Sequence, residues 1–197
     1  MKINKYSTWN FDQSFKKDPV HLYAFCDEVF TKEECETIIQ IGKKFTSTAY
    51  TANDKDDNYR DSEIAWLYPN EEYKWIFSRI AEVVVNLNYR FFGFDIQGFH
   101  EGIQFTKYSA PGGKYGKHLD CEVGTEIRKL SVTLQLSDPN DYEGGELNLI
   151  TGDRPNFMSK ERGHVAIFPS YILHEVLPVT KGTRYSLVCW VTGKPFR

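Results

Sequence analysis

The chain lacks any long apolar run. Its longest reach five residues, as in Leu187–Val191, far short of the ~20 that a membrane helix needs, so no membrane span is expected. Its first residues, MKINKYSTWNFDQSF, hold none of the apolar core of a secretory signal, and a cytoplasmic, intracellular protein is expected. Cysteine is sparse: Cys26, Cys35, Cys121 and Cys189 form no C-x-x-C pair. That spacing argues against a thiolate zinc site and against a disulfide framework, and predicts buried or semi-buried free thiols. Charge of one sign is lacking too. The 24 Lys and Arg against 27 Asp and Glu give a net charge of -3, without the basic excess of a nucleic-acid partner. There is no internal repeat, low-complexity tract or linker to divide the 197 residues.

Aromatic residues, by contrast, are plentiful, at 15% with 14 Phe and 12 Tyr, which favours packed β structure. The first half reads as two amphipathic helices. Thr31 and Glu34 form a T-x-x-E capping box ahead of a helix from about Lys32 to Phe45, striped by Cys35, Ile38, Ile39 and Phe45. A second is predicted directly after Pro69 and Asn70, with Glu71 and Glu72 in its first turn. Its stripe is Ile76, Ile80, Val83, Val84, Leu87 and Phe91. Between them, Thr46 to Asn58 is polar and aperiodic, either a solvated loop or a mobile lid.

From Gly102 the texture becomes short strands separated by turn residues: Gly102–Tyr108, Ile127–Leu136, Glu146–Ile150, His164–Phe168, Glu175–Val179 and Arg184–Val191. In Ile127–Leu136, Leu130, Val132, Leu134 and Leu136 alternate with Lys129, Ser131, Thr133 and Gln135. Many short strands after a helical section suggest a sandwich or jelly roll braced by helices.

Four residues on this background carry chemistry together. His118 and Asp120, one residue apart, share a face of an extended segment, with Leu119 pointing away to pack into the sheet. His174 lies 56 residues later, ahead of a strand, and Arg184 opens the next. Two imidazoles and a carboxylate on one face suit divalent iron with open positions, and a guanidinium can pair bidentately with a carboxylate. Singly each residue has an ordinary structural explanation; the order and spacing of all four do not arise readily by chance.

At these residues the sequence resembles the iron(II)- and 2-oxoglutarate-dependent dioxygenases, in particular their prolyl 4-hydroxylase-like branch. The matching text is Y-S-A-P-G-G-K-Y-G-K-H-L-D (Tyr108–Asp120), R-K-L-S-V-T-L-Q-L-S, D-Y-E-G-G-E-L, and Phe168–Trp190, with an upstream R-D-S-E-I-A-W-L from Arg60 to Leu67. The resemblance spans roughly Val20 to Gly193. It implies an α+β, mainly β fold, a double-stranded β-helix (distorted jelly roll) with supporting N-terminal helices. Within one domain over 1–197, helical support would cover about 20–100 and the catalytic core about 101–193.

Carried over by position, the resemblance implies that His118, Asp120 and His174 ligate Fe(II). Arg184 would bind the distal carboxylate of 2-oxoglutarate, where collagen-type enzymes commonly use Lys, and Tyr108 would donate its hydroxyl to the same cosubstrate. Trp190 would line the pocket base, or simply pack in the core, and Thr133 and Gln135 would line the cosubstrate pocket. O2 would be the oxidant, with ascorbate as a possible reductant. The reaction implied is hydroxylation of an unactivated C–H bond, with a prolyl residue of a peptide or protein as substrate and release of succinate and CO2. Tyr50, Tyr59 and Arg60 are the candidate substrate contacts, while His21, His100 and His164 are read as structural or exposed. Other readings are hydroxylation of a free amino acid or another side chain, a non-catalytic jelly-roll binding module, and a zinc or manganese hydrolase. Nucleic acid as substrate is disfavoured by the charge.

Overall fold

The computed structural model describes residues 21–45, 47–48, 59–121 and 127–195. In chain order the elements are β1 (Ala24–Cys26), α1 (Lys32–Lys43), β2 (Ser47–Thr48), β3 (Arg60–Asp61), β4 (Glu63–Leu67) and α2 (Lys74–Leu87). After a π-helical turn (Asn88–Phe92) come β5 (Ile96–Phe99), β6 (Ile103–Ser109), β7 (Lys114–His118), β8 (Arg128–Gln135), β9 (Tyr142–Gly144) and β10 (Leu147–Leu149). The last three are β11 (Val165–Pro169), β12 (His174–Val176) and β13 (Val179–Gly193).

The strands form a nine-stranded sheet, with the path β1-β11-β8-β13-β6-β4-β2 and β5 and β9 joined to β13, and a four-stranded sheet, β10-β12-β7-β3. Every named pairing is antiparallel. This is the helix-braced distorted jelly roll expected from the sequence. Strands before Gly102 belong to it as well: β1 pairs β11, β3 pairs β7 and β4 pairs β6. No helix among the described residues is long and apolar enough to cross a membrane.

The period-two side-chain pattern decides which layer each residue enters. From β8, Leu130, Val132 and Leu134 join Ile38 and Ile41 of α1 and Ile76, Ile80 and Val84 of α2 in the core between helices and large sheet. On β11, Val165 and Ile167 face that core, whereas Ala166 and Phe168 face a second one shared with Leu149 and Val176 of the small sheet. The face of β8 that carries Ser131 and Thr133 therefore looks into the space between the sheets.

The capping box forms as predicted: Glu34 N donates to Thr31 Oγ1 at 3.2 Å and Thr31 N to Glu34 Oε2 at 2.9 Å. α1 stops two residues earlier than predicted, and Phe45, placed on its apolar stripe, is 58% exposed. α2 begins at Lys74, so Glu71 and Glu72 precede it. Asn70 delays the start by holding a turn: its Oδ1 accepts from Tyr73 N at 2.8 Å and its carbonyl from Lys74 N at 2.9 Å. Among the free cysteines, Cys35 and Cys189 are buried and Cys121 partly so, but Cys26 is exposed because β1, an edge strand, turns only Ala24 inward. Of the Thr46–Asn58 segment only β2 is described; the lid question and Tyr50 fall outside the described residues.

Gly42 of helix α1 lies directly over the large sheet, where a Cβ would sit 2.3 Å from Cγ of the fully buried Phe105. Two effects oppose each other in Gly42→Ala. Helix propensity favours alanine by about 1 kcal/mol, but overpacking a closed core costs about 1–3 kcal/mol. The contact lies at the ring itself, which cannot swing aside, so sterics dominate. Gly42→Ala is expected to lower stability by about 1–2 kcal/mol, read as a reduced urea midpoint with an unchanged slope; a higher midpoint would show that α1 yields.

Candidate metal centre

β7 and β12 run antiparallel with His118 directly opposite His174. Their ring centroids are 4.1 Å apart. Asp120 lies beyond the end of β7 and is fixed by its backbone N–H, which donates to Ser170 O at 3.1 Å. One ligand atom from each of the three residues lies within 4.8 Å of the others. His118 Nε2 is 3.7 Å from Asp120 Oδ1, and His174 Nε2 is 3.4 Å from Oδ2.

The backbone assigns the tautomers. His118 Nδ1 lies 2.7 Å from Gly116 O and His174 Nδ1 lies 2.9 Å from Ile172 O. A carbonyl can only accept, so each Nδ1 carries its proton, and loss of any second proton leaves the lone pair on Nε2, facing the space beside Asp120. Gly116 is required by this packing, since a Cβ there would meet the Tyr59 ring at 2.6 Å.

Charge is arranged accordingly. Burial pushes the Asp120 carboxyl up, but the His174 hydrogen bond and charge, the His118 charge and the Ser131 hydrogen bond together hold it well below the usual carboxylate range. Burial, then the charge of His174, pushes His118 down to about 4 against the pull of Asp120. For His174 burial acts downward but is outweighed by the hydrogen bond and charge of Asp120, so it is raised. Ser131 Oγ donates to Asp120 Oδ2 at 2.6 Å. Its single proton is thereby used, and the 3.0 Å contact with Ser170 Oγ must be donated by Ser170. Two nitrogens and an anionic oxygen on one face, with carbonyl partners behind the rings, fit a divalent transition metal with open positions.

The three residues stand on the wall of a cavity of about 400 Å3 between the sheets, which Tyr108, Thr133, Arg184, Trp190 and Arg60 also line. Along β13 the wall residues are Arg184, Ser186, Val188 and Trp190, one face of the strand at period two. Arg184 is buried, pairs across strands with Tyr108, and its Nη1 is 3.5 Å from Ser186 Oγ. Burial raises the Tyr108 phenol against the charges of Arg60 and Arg184, which keeps it a donor.

Other predicted residues fall elsewhere. Gln135 shares the face of Ser131 but lies beside a small neighbouring void, its Nε2 donating to Tyr142 OH at 2.9 Å. Tyr59 is not on the cavity wall; its hydroxyl donates to Lys117 O at 2.7 Å and braces β3 against β7. Leu119 does not pack into the sheet. β7 ends at His118, and the residue after it is 43% exposed on the cavity rim. His164 is buried, as expected of a structural histidine, with Nδ1 2.6 Å from Asp27 Oδ1.

Sequence reasoning missed Tyr115, whose ring stacks on His118 at 3.6 Å and 21°. It also missed Arg128, which lies 4.0 Å over the Trp190 ring and holds Glu101 bidentately, Nε donating to Oε1 at 2.8 Å and Nη2 to Oε2 at 2.7 Å. Both sit where the pairing register shifts, between His174 and Val176 and between Val191 and Thr192. Strict alternation misassigns such residues; the one available signal for Tyr115 was an aromatic near a metal-type histidine.

Residues 103–192 match the model of the 2OG-Fe(II) oxygenase superfamily. A PKHD-type hydroxylase of Thermosynechococcus vestitus is 31% identical over 177 residues, covering 84% of this chain and 75% of the relative. One of Prochlorococcus marinus is 45% identical over 91 residues, covering 46% of this chain and 41% of its own length. The match thus spans about two fifths of the latter's length. Among solved structures, a Pseudomonas putida prolyl-4-hydroxylase superposes with a TM-score of 0.72 at 21% identity, covering 89% of this chain and 94% of the other. A Trichoplax adhaerens prolyl hydroxylase, solved with a hypoxia inducible factor oxygen degradation domain peptide fragment, gives 0.70 at 20% identity, with coverages of 87% and 84%. At these identities the superpositions speak for the fold.

The hydrogen bond from Ser131 to Asp120 yields a test. Ser131→Ala removes the one hydroxyl that holds Oδ2 in place, and loss of such a partner costs about 10- to 100-fold in metal affinity. Calorimetric titration with Mn(II) should show that weakening in a protein whose circular dichroism matches the wild type. Undiminished affinity would mean that Asp120 is oriented by its backbone alone.

Proposed function

The chain belongs to the 2OG-Fe(II) oxygenase superfamily, and from that premise we propose that it hydroxylates a prolyl residue of a peptide or protein. In this reading His118, Asp120 and His174 hold Fe(II), Arg184 takes the distal carboxylate of 2-oxoglutarate, and Tyr108 donates to the same cosubstrate. When bound, the iron and 2-oxoglutarate supply the oxidation of a C–H bond by O2, with succinate and CO2 released.

The observation that carries the reading is the pairing of two unlike sites in one cavity. At one, two Nε2 atoms and an anionic carboxylate converge. At the other stands Arg184, buried at 5% exposure, with no Asp or Glu paired to it among the described residues. A buried guanidinium without a counter-ion is costly unless an anion arrives, and a dicarboxylate reaching the metal supplies it. Neither a hydrolase using metal-bound water nor a sugar-binding barrel has need of that second cation.

The remaining residues shape the site. Thr133 and Ser186 add hydroxyls beside Arg184, and the Trp190 ring backs the wall. Trp66, 38% exposed, tilts against Trp190 at 6.1 Å and presents an apolar face at the rim. An apolar ring such as proline suits that surface, and the fold likeness to prolyl hydroxylases, one solved with a peptide, supports the choice.

Anaerobic addition of Fe(II) and then 2-oxoglutarate should produce the weak visible charge-transfer band of a chelated cosubstrate. Arg184→Ala should raise the 2-oxoglutarate concentration needed by at least about 30-fold, the scale of a broken buried charge pair, while Fe(II) affinity changes little. Loss of iron with retention of 2-oxoglutarate would overturn the clamp assignment. Prolyl peptides should then accelerate succinate formation and gain one oxygen; acceleration by free amino acids alone would move the substrate away from peptides.

A further inference from the structure

Two buried donors on the cavity wall, Arg60 Nη2 and Trp190 Nε1, have no hydrogen-bond partner among the described residues. Arg60 is joined to the metal centre through stacked rings. Its guanidinium carbon lies 4.4 Å from the centre of the Tyr115 ring. Tyr115 lies nearly parallel to His118, 3.6 Å between centroids and 21° between planes. Cation, phenol and imidazole therefore form one stacked column.

The column is held at few points. Tyr59 meets the Tyr115 ring edge-on at 5.8 Å. Arg60 is tied by its Nε, which donates to Ser62 Oγ at 2.9 Å, and by the ring face beneath it. β3 contributes only Arg60 and Asp61, so its backbone adds little stiffness. The Nδ1 contact to Gly116 O fixes one point of the His118 ring; rotation about that point is limited by whatever presses on the ring face. His174 bounds one side at 50°, a tilted contact, whereas Tyr115 supplies the flat one.

We propose that Arg60 is a positioning residue for the metal centre, pressing Tyr115 flat against His118 and so fixing the direction of the His118 Nε2 lone pair. This role rests on the reading of His118 as a ligand. It differs from a substrate contact, the role suggested by sequence, because it operates with the cavity empty of substrate.

The test uses Co(II) alone, whose visible d–d bands report ligand geometry without turnover. Arg60→Ala should weaken Co(II) binding about 3- to 30-fold, the scale of a desolvated cation–π contact, and shift the bands. Tyr115→Leu should do the same, and the double variant should be no worse than Tyr115→Leu, since the arginine works through the ring. Tyr115→Phe should keep the wild-type bands, and Arg60→Lys, lacking a planar face, should recover only part of the affinity. Circular dichroism checks the fold; if Arg60→Ala does not fold, Ser62→Ala loosens the same guanidinium and should shift the bands in the same direction. A folded Arg60→Ala, or Ser62→Ala in its place, with wild-type Co(II) affinity and bands overturns the proposal. So do additive losses in the double variant. Failure of the wild-type protein to take up Co(II) would instead overturn the ligand reading itself, and the inference with it.

Discussion

The site depends on one cross-strand register: the pairing of β7 with β12 that sets His174 opposite His118. Each histidine then directs Nδ1 to the carbonyl two residues before it, Gly116 for one and Ile172 for the other. The same local device, used twice on neighbouring antiparallel strands, turns two Nε2 atoms toward one carboxylate. A slip of one residue would send one imidazole to the opposite face of the small sheet. The rest of the fold reads as support for that register. Tyr59 ties β3 to β7 through Lys117 O, and Leu149 pairs with His174 from the other side.

The cavity separates its charges by depth and partner. Asp120 is held as a carboxylate by the two imidazoles and the Ser131 hydroxyl, and Arg128 is paired with Glu101. Arg184 carries a charge that no described acid answers. Polar groups enclosed by protein are expensive unless satisfied, and Arg184 stands apart from the other two in lacking a counter-ion among the described residues. The large sheet can tolerate such polarity on one face because its other face is sealed by Ile38, Ile76, Ile80 and their neighbours on the two helices.

Much of this was legible in the sequence. The alternation in Ile127–Leu136 gave β8 and its two faces, the T-x-x-E box gave the start of α1, and the H-x-D, His and Arg order gave the residues now gathered on one cavity wall. What stayed hidden was non-periodic. The late start of α2 reflects the Asn70 turn, which competes locally with helix formation. Tyr115 and Arg128 reach the cavity through register shifts, and Ser170 meets Ser131 only through the pairing of β11 with β8, 39 residues apart in sequence. Leu119 was misplaced because a strand was taken to continue where it ends. Sequence periodicity describes ideal strands; the chemistry here lies largely at their ends and bulges.

The face of β13 that carries Arg184, Ser186, Val188 and Trp190 works as a graduated scale. Adjacent marks are about 6.6 Å apart, two residues of strand, and run from a cation through a hydroxyl and an aliphatic group to an aromatic. Because β13 is paired along all of this stretch, with β6 as far as Val188 and with β8 from Ser186 onward, the marks cannot drift relative to one another. A substitution at one of them therefore retunes a single depth of the cavity and leaves the others calibrated. Inserting one residue between Arg184 and Trp190 would instead exchange the faces of everything beyond it, delivering Leu187, Cys189 and Val191 to the cavity and an indole to the helical core. The strand tolerates revision in its letters and none in its count.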